Sequence, residues 1–181
     1  FKSGPGHQVK IMIKIGIIGH GFVGKALDNG INESVSKKII DPKYGNSILE
    51  FQHYKPEFIF VCVPTPMGKD EQDFKILDDV FDELASLALE DTTIVLKSTI
   101  LPDKILDLNS KFPNLIYNPE FLREKHADED FKNSEFIIIG GDKKNSLKLK
   151  DFYQNFSLCL TPDENYIFTS IFNASISKYS I

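Results

Sequence analysis

The chain has 181 residues, 41% hydrophobic and 26% charged, and its 21 lysines and arginines against 26 aspartates and glutamates give a formal net charge of −5. This composition excludes a disordered, collagen-like or low-complexity chain. Nucleic acid is not expected as a partner, because the cations are outnumbered and scattered. No apolar run approaches the roughly 20 residues that cross a bilayer, so we expect no membrane association and a cytoplasmic location.

Residues 1–11 include the sequence Ser-Gly-Pro-Gly and are interpreted as a vector-derived leader, with a natural flexible N-terminus as the alternative. The folded domain is expected to occupy residues 12–168, and a further helix begins within residues 169–181. The two cysteines, Cys62 and Cys159, are too few for a disulfide framework or a zinc site, so no metal is expected.

Short apolar runs alternate with longer amphipathic stretches, which indicates successive βα units. The predicted strands are residues 13–18, 37–40, 57–63, 92–96, 114–117 and 135–139. The predicted helices are residues 22–29, 46–53, 80–88, 104–109 and 147–155, with a linker at 161–165 and a last helix from residue 170. Because most of these strands are apolar on both faces, the pattern predicts an α/β fold with a doubly wound, mainly parallel sheet covered by helices on both faces.

A glycine-rich motif lies between the first predicted strand and the first predicted helix. Its residues are Gly19, His20, Gly21, Phe22, Val23 and Gly24. In this context the first glycine permits a tight turn, the second lets the backbone approach a pyrophosphate, and the third lets the helix pack on the strand. The motif therefore predicts a dinucleotide site, and a purely structural glycine turn is the alternative.

Asp41 closes the second predicted strand, 22 residues after Gly19, where a carboxylate would accept hydrogen bonds from both ribose hydroxyls of a dinucleotide. The alternative is a turn residue, since Asp-Pro commonly opens a turn. The charge of Asp41 would repel a 2′-phosphate and favours NAD over NADP, whereas the nearby Lys43 favours the opposite choice.

Three further clusters follow predicted strands, at the sheet edge where doubly wound folds bind ligands. They are residues 63–67 with two prolines, residues 97–102 with two hydroxyl side chains, and residues 117–124 with two carboxylates. If the third cluster turns helical after its proline, Glu120 and Glu124 project from one face, where repulsion would raise one pKa and make that group a base. Each cluster alone is more often structural, but their concentration at successive strand ends predicts a site.

Together these motifs resemble those of the UDP-glucose/GDP-mannose dehydrogenases, which oxidise the C6 alcohol of a nucleotide sugar to a carboxylate with two molecules of NAD. The resemblance covers nearly all of residues 13–181. It rests on the glycine loop, on a VPTP segment at 63–66, on a segment at 97–102 similar to KSTVPP, on a segment at 118–131 similar to NPEFLREG-A-DF, and on a segment at 174–179 similar to AELxKY. It implies that 12–168 form an NAD-binding Rossmann domain and that 169–181 begin the central, dimer-forming helix.

The resemblance also implies roles for individual residues. NAD would contact Gly19, His20, Gly21, Phe22, Val23, Gly24, Asp41, Lys43, Val63, Pro64, Thr65, Pro66, Ser98, Thr99 and Glu124. The nucleotide sugar, UDP-glucose or a similar compound, would contact Glu120, Phe121, Leu122, Arg123, Glu124 and Lys178. In catalysis Thr99 would position a water, Glu120 and Glu124 would activate it, and Lys178 would stabilise an oxyanion. Without the resemblance, Lys178 is interpreted as a solvated helix lysine.

The chain departs from the family pattern at several places. Family enzymes use a nucleophilic cysteine in a second nucleotide-sugar domain after the central helix, and neither Cys62 nor Cys159 matches it. Both cysteines are interpreted as small buried apolar residues, and the second domain is expected to be absent, so the chain alone would not complete the reaction. The stretch from 41 to 63 is short and leaves room for about one helix and one strand. The stretch from 102 to 118 is also short, and Lys125 replaces a glycine.

Two other functions stay open: a two-electron NAD-dependent enzyme similar to β-hydroxyacid dehydrogenases, and a non-catalytic NAD-binding module. Ile171, Phe172 and Ile176 form a predicted apolar patch on the last helix. Exposed apolar patches tend to bind partners, so a homodimer through this helix is expected.

Overall fold

The computed structural model describes residues 12–178, in which seven strands form one sheet of order β2-β1-β3-β4-β5-β6-β7. The strands are β1 Lys14–Ile18, β2 Ser36–Ile40, β3 Phe58–Val61, β4 Thr93–Leu96, β5 Leu115–Tyr117, β6 Ile137–Gly140 and β7 Tyr166–Thr169. The pairings from β2 to β5 are parallel, β6 pairs with β5 antiparallel through Tyr117 and Gly140, and β7 pairs with β6 in parallel. The predicted mainly parallel sheet is therefore confirmed.

Helices connect the strands and cover both faces of the sheet. They are α1 Phe22–Gly30, α2 Phe51–Tyr54, α3 Lys75–Ala85, α4 Pro102–Lys111, α5 Ala127–Lys132, α6 Lys143–Phe156 and α7 Ile171–Ser177. Buried residues of α1, α5 and α6 pack on one face, and those of α3, α4 and α7 pack on the other. Successive residues of β3 alternate between these two cores, with Phe60 in one and Val61 in the other. Burial of both strand faces explains why the strands are continuous apolar runs.

The sequence pattern located the regular elements better than the irregular ones. The six predicted strands are confirmed with shifted ends, and the predicted helix at 46–53 is a 3-10 turn, Ile48–Glu50, followed by the single turn of α2. Helix α5 and strand β7 were not predicted, because α5 has only six residues and β7 leaves Ile167 and Phe168 exposed. The leader assigned to residues 1–11 and the end of the central helix at 179–181 lie outside the described residues.

Strand order brings the motifs to one place. Strands β2 and β3 lie on opposite sides of β1, so the chain reverses its winding direction there, and a crevice opens beyond the carboxyl ends of the strands at such a point. Helix α1 begins at this crevice, within the glycine motif, with Gly21 as its N-cap. The glycine loop and the segments after β3, β4 and β5 therefore all reach the same edge.

Candidate functional site

A cavity of about 530 Å³ lies at this edge of the sheet and gathers residues from the glycine loop, the end of β2 and the segments after β3, β4 and β5. It is lined by Gly19, Gly21, Phe22, Val23, Asp41, Cys62, Val63, Pro64, Thr65, Pro66, Lys97, Ser98, Thr99 and Glu120. Of the predicted cofactor residues, His20, Gly24 and Lys43 are not part of this lining, and Glu124 lines an adjoining hollow together with Gly21 and Phe22. The clusters predicted separately thus form one site.

A different geometric reason explains the glycine at each of the three positions of the motif. Gly19 has φ +87°, in the left-handed region that favours glycine. A Cβ on Gly24 would lie 2.0 Å from the Gly19 carbonyl oxygen, so only glycine lets α1 begin so close to the turn. A Cβ on Gly21 would meet no atom within 4 Å, because this position opens into space in front of α1. That space, with the amides of the helix N-terminus and no side-chain cap, fits a pyrophosphate group.

Asp41 is held at the end of β2 by two backbone amides. Its Oδ2 accepts from His20 N at 2.7 Å and its Oδ1 accepts from Lys43 N at 3.1 Å. Burial raises the pKa of the Asp41 carboxyl, but these hydrogen bonds and the Lys43 charge outweigh it, so the pKa lies below its ordinary value. The resulting carboxylate lines the cavity and suits the hydroxyls of a ribose.

His20 and Lys43, which donate backbone hydrogen bonds to Asp41, are themselves held by further contacts. The His20 ring is 2.7 Å from Tyr44 Oη through Nδ1 and 3.2 Å from Asp28 Oδ2 through Nε2. Lys43 Nζ donates to the His20 carbonyl oxygen at 2.7 Å. Because this ammonium group is already bonded to the glycine loop, the structure weakens the argument that Lys43 favours a 2′-phosphate.

Hydrogen bonds join the loops that follow β3 and β4. Ser98 Oγ donates to Val63 O at 2.6 Å, and Thr65 Oγ1 donates to Thr99 O at 2.5 Å. Gln72, which is buried, donates from Nε2 to both Thr65 O at 3.0 Å and Thr99 O at 2.9 Å. Sequence reasoning missed Gln72, because a single glutamine in a polar turn carries no pattern.

The segment after β5 is not helical, so the prediction that Glu120 and Glu124 share a helix face is wrong. The Asn118 side chain is hydrogen-bonded to three buried partners, which hold the chain in place just before Pro119. Helical structure begins only with a 3-10 turn at Glu124–His126. Glu120 therefore lines the cavity while Glu124 lies exposed in the neighbouring hollow, and the pair of repelling carboxylates does not form.

Lys178, at the end of α7, reaches across 58 positions to Glu120. Its Nζ lies 3.2 Å from Glu120 Oε1, contacts the Glu120 carbonyl oxygen, and lies 5.0 Å from the Phe121 ring centre. The side chains of Lys178 and Glu120 are 17% and 10% exposed. The interpretation of Lys178 as a solvated helix lysine is therefore wrong, and two residues assigned to catalysis by resemblance are in contact.

Phe121, Leu122 and Arg123 line a second cavity of about 450 Å³, which shares Lys97 and Glu120 with the first. Glu120 Oε2 accepts from Leu122 N at 2.7 Å. The Arg123 guanidinium donates to Asp130 at 2.6 and 3.0 Å, and this hydrogen-bonded ion pair lowers the pKa of Asp130 to about 2. The side chain of Arg123 is therefore engaged within the motif itself.

The two cysteines differ in burial. Cys62 is 8% exposed beside the cavity, and burial raises the pKa of its thiol to about 12, which makes a thiolate nucleophile unavailable. Cys159 is only half-buried, so the expectation that it is a buried apolar residue is wrong. Its Sγ lies 3.0 Å from Thr161 Oγ1, on the wall of the second cavity.

Two further observations on the described residues concern membrane spans and metal sites. None of the helices within residues 12–178 combines the length and apolar character needed to span a bilayer. Across the same residues, no three His, Cys, Asp or Glu side chains come together in a way that could hold a metal ion.

The comparisons with known proteins all indicate the same family. The model of the UDP-glucose/GDP-mannose dehydrogenase family, NAD binding domain, matches residues 25–157. UDP-glucose 6-dehydrogenase of Rickettsia felis is 33% identical over 131 residues, which cover 68% of this chain and 29% of that protein. The enzyme of the same name from Rickettsia bellii is 26% identical over 192 residues, which cover 92% of this chain and 44% of that protein. The chain thus spans less than half the length of these relatives.

Solved structures share the fold at lower identity. A GDP-mannose dehydrogenase from Pseudomonas aeruginosa superposes with a TM-score of 0.71 at 21% identity, over 93% of this chain and 49% of that one. A UDP-glucose dehydrogenase from Pyrobaculum islandicum superposes with a TM-score of 0.70 at 20% identity, over 98% and 50%. Both confirm the Rossmann-like architecture. On the family match, the chain belongs to the UDP-glucose/GDP-mannose dehydrogenase family, as its NAD-binding domain, and its cofactor is NAD.

Proposed function

We propose that this chain is the NAD-binding part of a nucleotide-sugar 6-dehydrogenase, which oxidises UDP-glucose or a similar UDP- or GDP-sugar at C6 to the uronic acid with two molecules of NAD. The observation that carries the proposal is the single cavity that joins the open space at Gly21, the Asp41 carboxylate and Glu120, which in turn contacts Lys178. A dinucleotide site and a charged catalytic pair are thereby adjacent.

On the cofactor side, the amides at the start of α1 face the pyrophosphate and Asp41 accepts from the ribose hydroxyls. The residues from Val63 to Pro66, with Ser98 and Thr99, line the remaining length of the cofactor. This assignment is supported by the hydrogen bonds between the two loops, which fix the shape of the cavity wall in the absence of a ligand. When bound, NAD supplies the hydride acceptor.

On the substrate side, Lys178 provides a positive charge where an oxyanion develops, and Glu120 provides a carboxylate that accepts a proton from water. Thr99, on the wall of the same cavity, positions that water. The loop that contacts the substrate consists of Phe121, Leu122 and Arg123, and Glu124 contacts the substrate from the adjoining hollow. The 3.2 Å contact between Lys178 and Glu120 supports their joint action.

The oxidation of an alcohol to an acid passes through an aldehyde, and a covalent thiol intermediate retains that aldehyde for the second oxidation. The buried Cys62 cannot serve, and Cys159 does not match the family nucleophile. We therefore expect these 181 residues alone to bind NAD without completing the reaction.

The first test is calorimetric titration of the 181-residue chain with NAD. We expect saturable binding, lost in Gly21→Val because the new side chain enters the open space in front of α1. Gly21→Val should fold normally, since its Cβ meets no atom, and circular dichroism checks this. Asp41→Asn keeps the side-chain shape without the charge and should weaken binding. A folded wild-type chain that binds no NAD would contradict the proposal.

A second arm adds UDP-glucose with NAD and follows NADH by absorbance. We expect no sustained NADH formation by the chain alone, because the thiol nucleophile is lacking. Sustained formation would contradict this part of the proposal. One NADH per turnover with a β-hydroxyacid would instead support the two-electron alternative.

We also propose self-association through α7. Ile171 is buried, so the predicted patch of three residues is corrected to two, Phe172 and Ile176, each 39% exposed. Ile167 and Phe168 of the edge strand β7 are also exposed and extend the apolar character of this end of the chain.

A further inference from the structure

Lys97 is a buried lysine whose positive charge is not neutralised by direct contact with a carboxylate. It directly follows β4 and is only 4% exposed. Among the ion pairs formed within residues 12–178, none includes Lys97. A buried ammonium group without a counter-charge is costly, which makes this residue unusual in a folded domain.

The hydrogen-bond partner of Lys97 is a neutral amide. Lys97 Nζ donates to Asn118 Oδ1 at 2.9 Å, and the same oxygen accepts from Tyr153 Oη at 2.7 Å. Asn118 Nδ2 in turn donates to Ile138 O at 2.8 Å, so the amide orientation is fixed. This network holds the Lys97 nitrogen in place whether it is an ammonium or an amine, because both forms can donate to Oδ1.

The location of Lys97 makes its charge relevant to ligands. It lines both the cofactor cavity and the second cavity, and it immediately precedes Ser98 and Thr99 on the cofactor wall. The titratable groups that face it are Cys62 after β3, Glu120 after β5, Tyr153 and Cys159 on and after α6, and Lys178 after α7. Burial lowers the pKa of Lys97 most strongly; Cys62, Glu120 and Cys159 raise it and Lys178 lowers it, and the pKa lies below its ordinary value. The one carboxylate in this set, Glu120, is already paired with Lys178.

We propose that Lys97 releases its proton to solvent when the oxidised cofactor, whose nicotinamide ring carries a positive charge, binds in this cavity, and that it keeps the proton when the reduced cofactor, whose dihydronicotinamide ring is uncharged, binds. Two like charges that lie close together repel, most strongly where one of them is as buried as Lys97, and only the lysine can lose its charge. The N–H bond breaks, its electron pair stays on Nζ, the proton passes to buffer, and no other bond changes. The inference rests on the proposed function, because it requires NAD in this cavity.

Lys97 would thereby make the choice between the two cofactor forms depend on pH. Release of one proton raises the affinity for the oxidised cofactor by up to tenfold per pH unit, across the interval between the pKa values of the bound and free states. Affinity for the reduced cofactor would stay flat in that interval. At low pH the charged lysine favours the reduced form, and at high pH this preference disappears.

The test is calorimetric titration of the full chain with NAD⁺ and with NADH, between about pH 6 and 9, in pairs of buffers that differ in ionisation enthalpy. We expect part of a proton to be released with NAD⁺ and none with NADH. Lys97→Met, which keeps the length and apolar stem of the side chain, should abolish the release and remove the pH slope of NAD⁺ affinity. Lys111→Met, at an exposed lysine on α4, is the matched control and should retain both.

Several outcomes would overturn the inference. Proton release that persists in Lys97→Met, or that is equal for NAD⁺ and NADH, would contradict it while leaving the proposed function intact. The absence of NAD binding would overturn both. If Lys97→Met does not fold, Asn118→Asp replaces it, since a carboxylate 2.9 Å from Nζ should hold the proton and suppress the release. Unchanged release in Asn118→Asp would likewise contradict the inference.

Discussion

At the scale of single residues, the motif after β5 contributes to folding, in addition to the ligand binding that we propose for it. Arg123, assigned to the substrate by resemblance, donates two side-chain hydrogen bonds to Asp130, and its backbone N donates to the same carboxylate at 2.8 Å. The ion pair holds the loop that contains Glu120 against α5. Charge-assisted, two-pronged contacts of this kind fix geometry better than a single exposed ion pair does.

We expect Arg123→Gln to lower the free energy of unfolding at neutral pH. This difference from wild type should disappear in acid. The hydrogen-bonded ion pair with Arg123 lowers the pKa of Asp130 from 3.8 to about 2 in the folded chain. Stability from a lowered carboxyl pKa is present above the unfolded value and disappears as pH falls through the folded value. The measurement is urea unfolding of both proteins at several pH values from neutral down to about 2.

The control for this prediction is Lys125→Gln, which removes a neighbouring exposed lysine and should change stability little. A stability difference between wild type and Arg123→Gln that stays constant down to about pH 2 would show that the ion pair does not act through the Asp130 charge.

At the scale of elements, α1 must lie close to two neighbours at once. Its first turn approaches the glycine loop, and its last residue, Gly30, contacts the Phe131 ring of α5. A Cβ on Gly30 would lie 2.2 Å from Phe131 Cε1, so the ring would have to move. The six-residue helix α5 is thus held by packing against α1, since so short a segment is not stable by helix propensity alone.

Gly30→Ala is expected to destabilise the chain by about 1–3 kcal/mol, because overpacking against Phe131 exceeds the gain in helix propensity. Chemical unfolding measures the change. Phe131→Leu should relieve the clash, so the double variant should be more stable than the two single effects added together. Gly21→Ala, at a position with no neighbouring atom, is the control. A Gly30→Ala chain as stable as wild type would contradict the packing argument.

At the scale of the whole molecule, the sheet is shaped by a short connection. Between Asp41 and Val63 the chain forms 3-10 turns, the single-turn helix α2 and strand β3, as the length of this stretch predicted. Strand β2 therefore stays at one edge of the sheet, and β7 forms the other edge. The apolar residues exposed on β7 and α7 lie at this second end.

We expect the chain to associate as concentration rises, because exposed apolar patches bind partners. Light scattering after size-exclusion chromatography should show an increasing mean mass, and Phe172→Ser should reduce it. Leu106→Ser, at a leucine of similar exposure on α4, should not. A monomer at all concentrations would contradict self-association through this end of the molecule.

Local order along the chain was enough to predict the features that depend on neighbouring residues. The apolar runs predicted six strands, and the spacing of Gly19, Gly21 and Gly24 predicted the turn into α1, because strand burial and turn geometry are read within a few residues. The position of Asp41 at the end of β2 followed from the same local order.

The tertiary structure alone decided which distant side chains meet. The contacts of Lys178 with Glu120, of Gln72 with Thr99, and of Lys97 with Asn118 join residues 58, 27 and 21 positions apart. No local pattern encodes such pairs, since they exist only after the sheet orders its strands and the helices pack on it. Strand β7, half exposed at an edge, was missed for the same reason: its pairing with β6, and not its own pattern, makes it a strand.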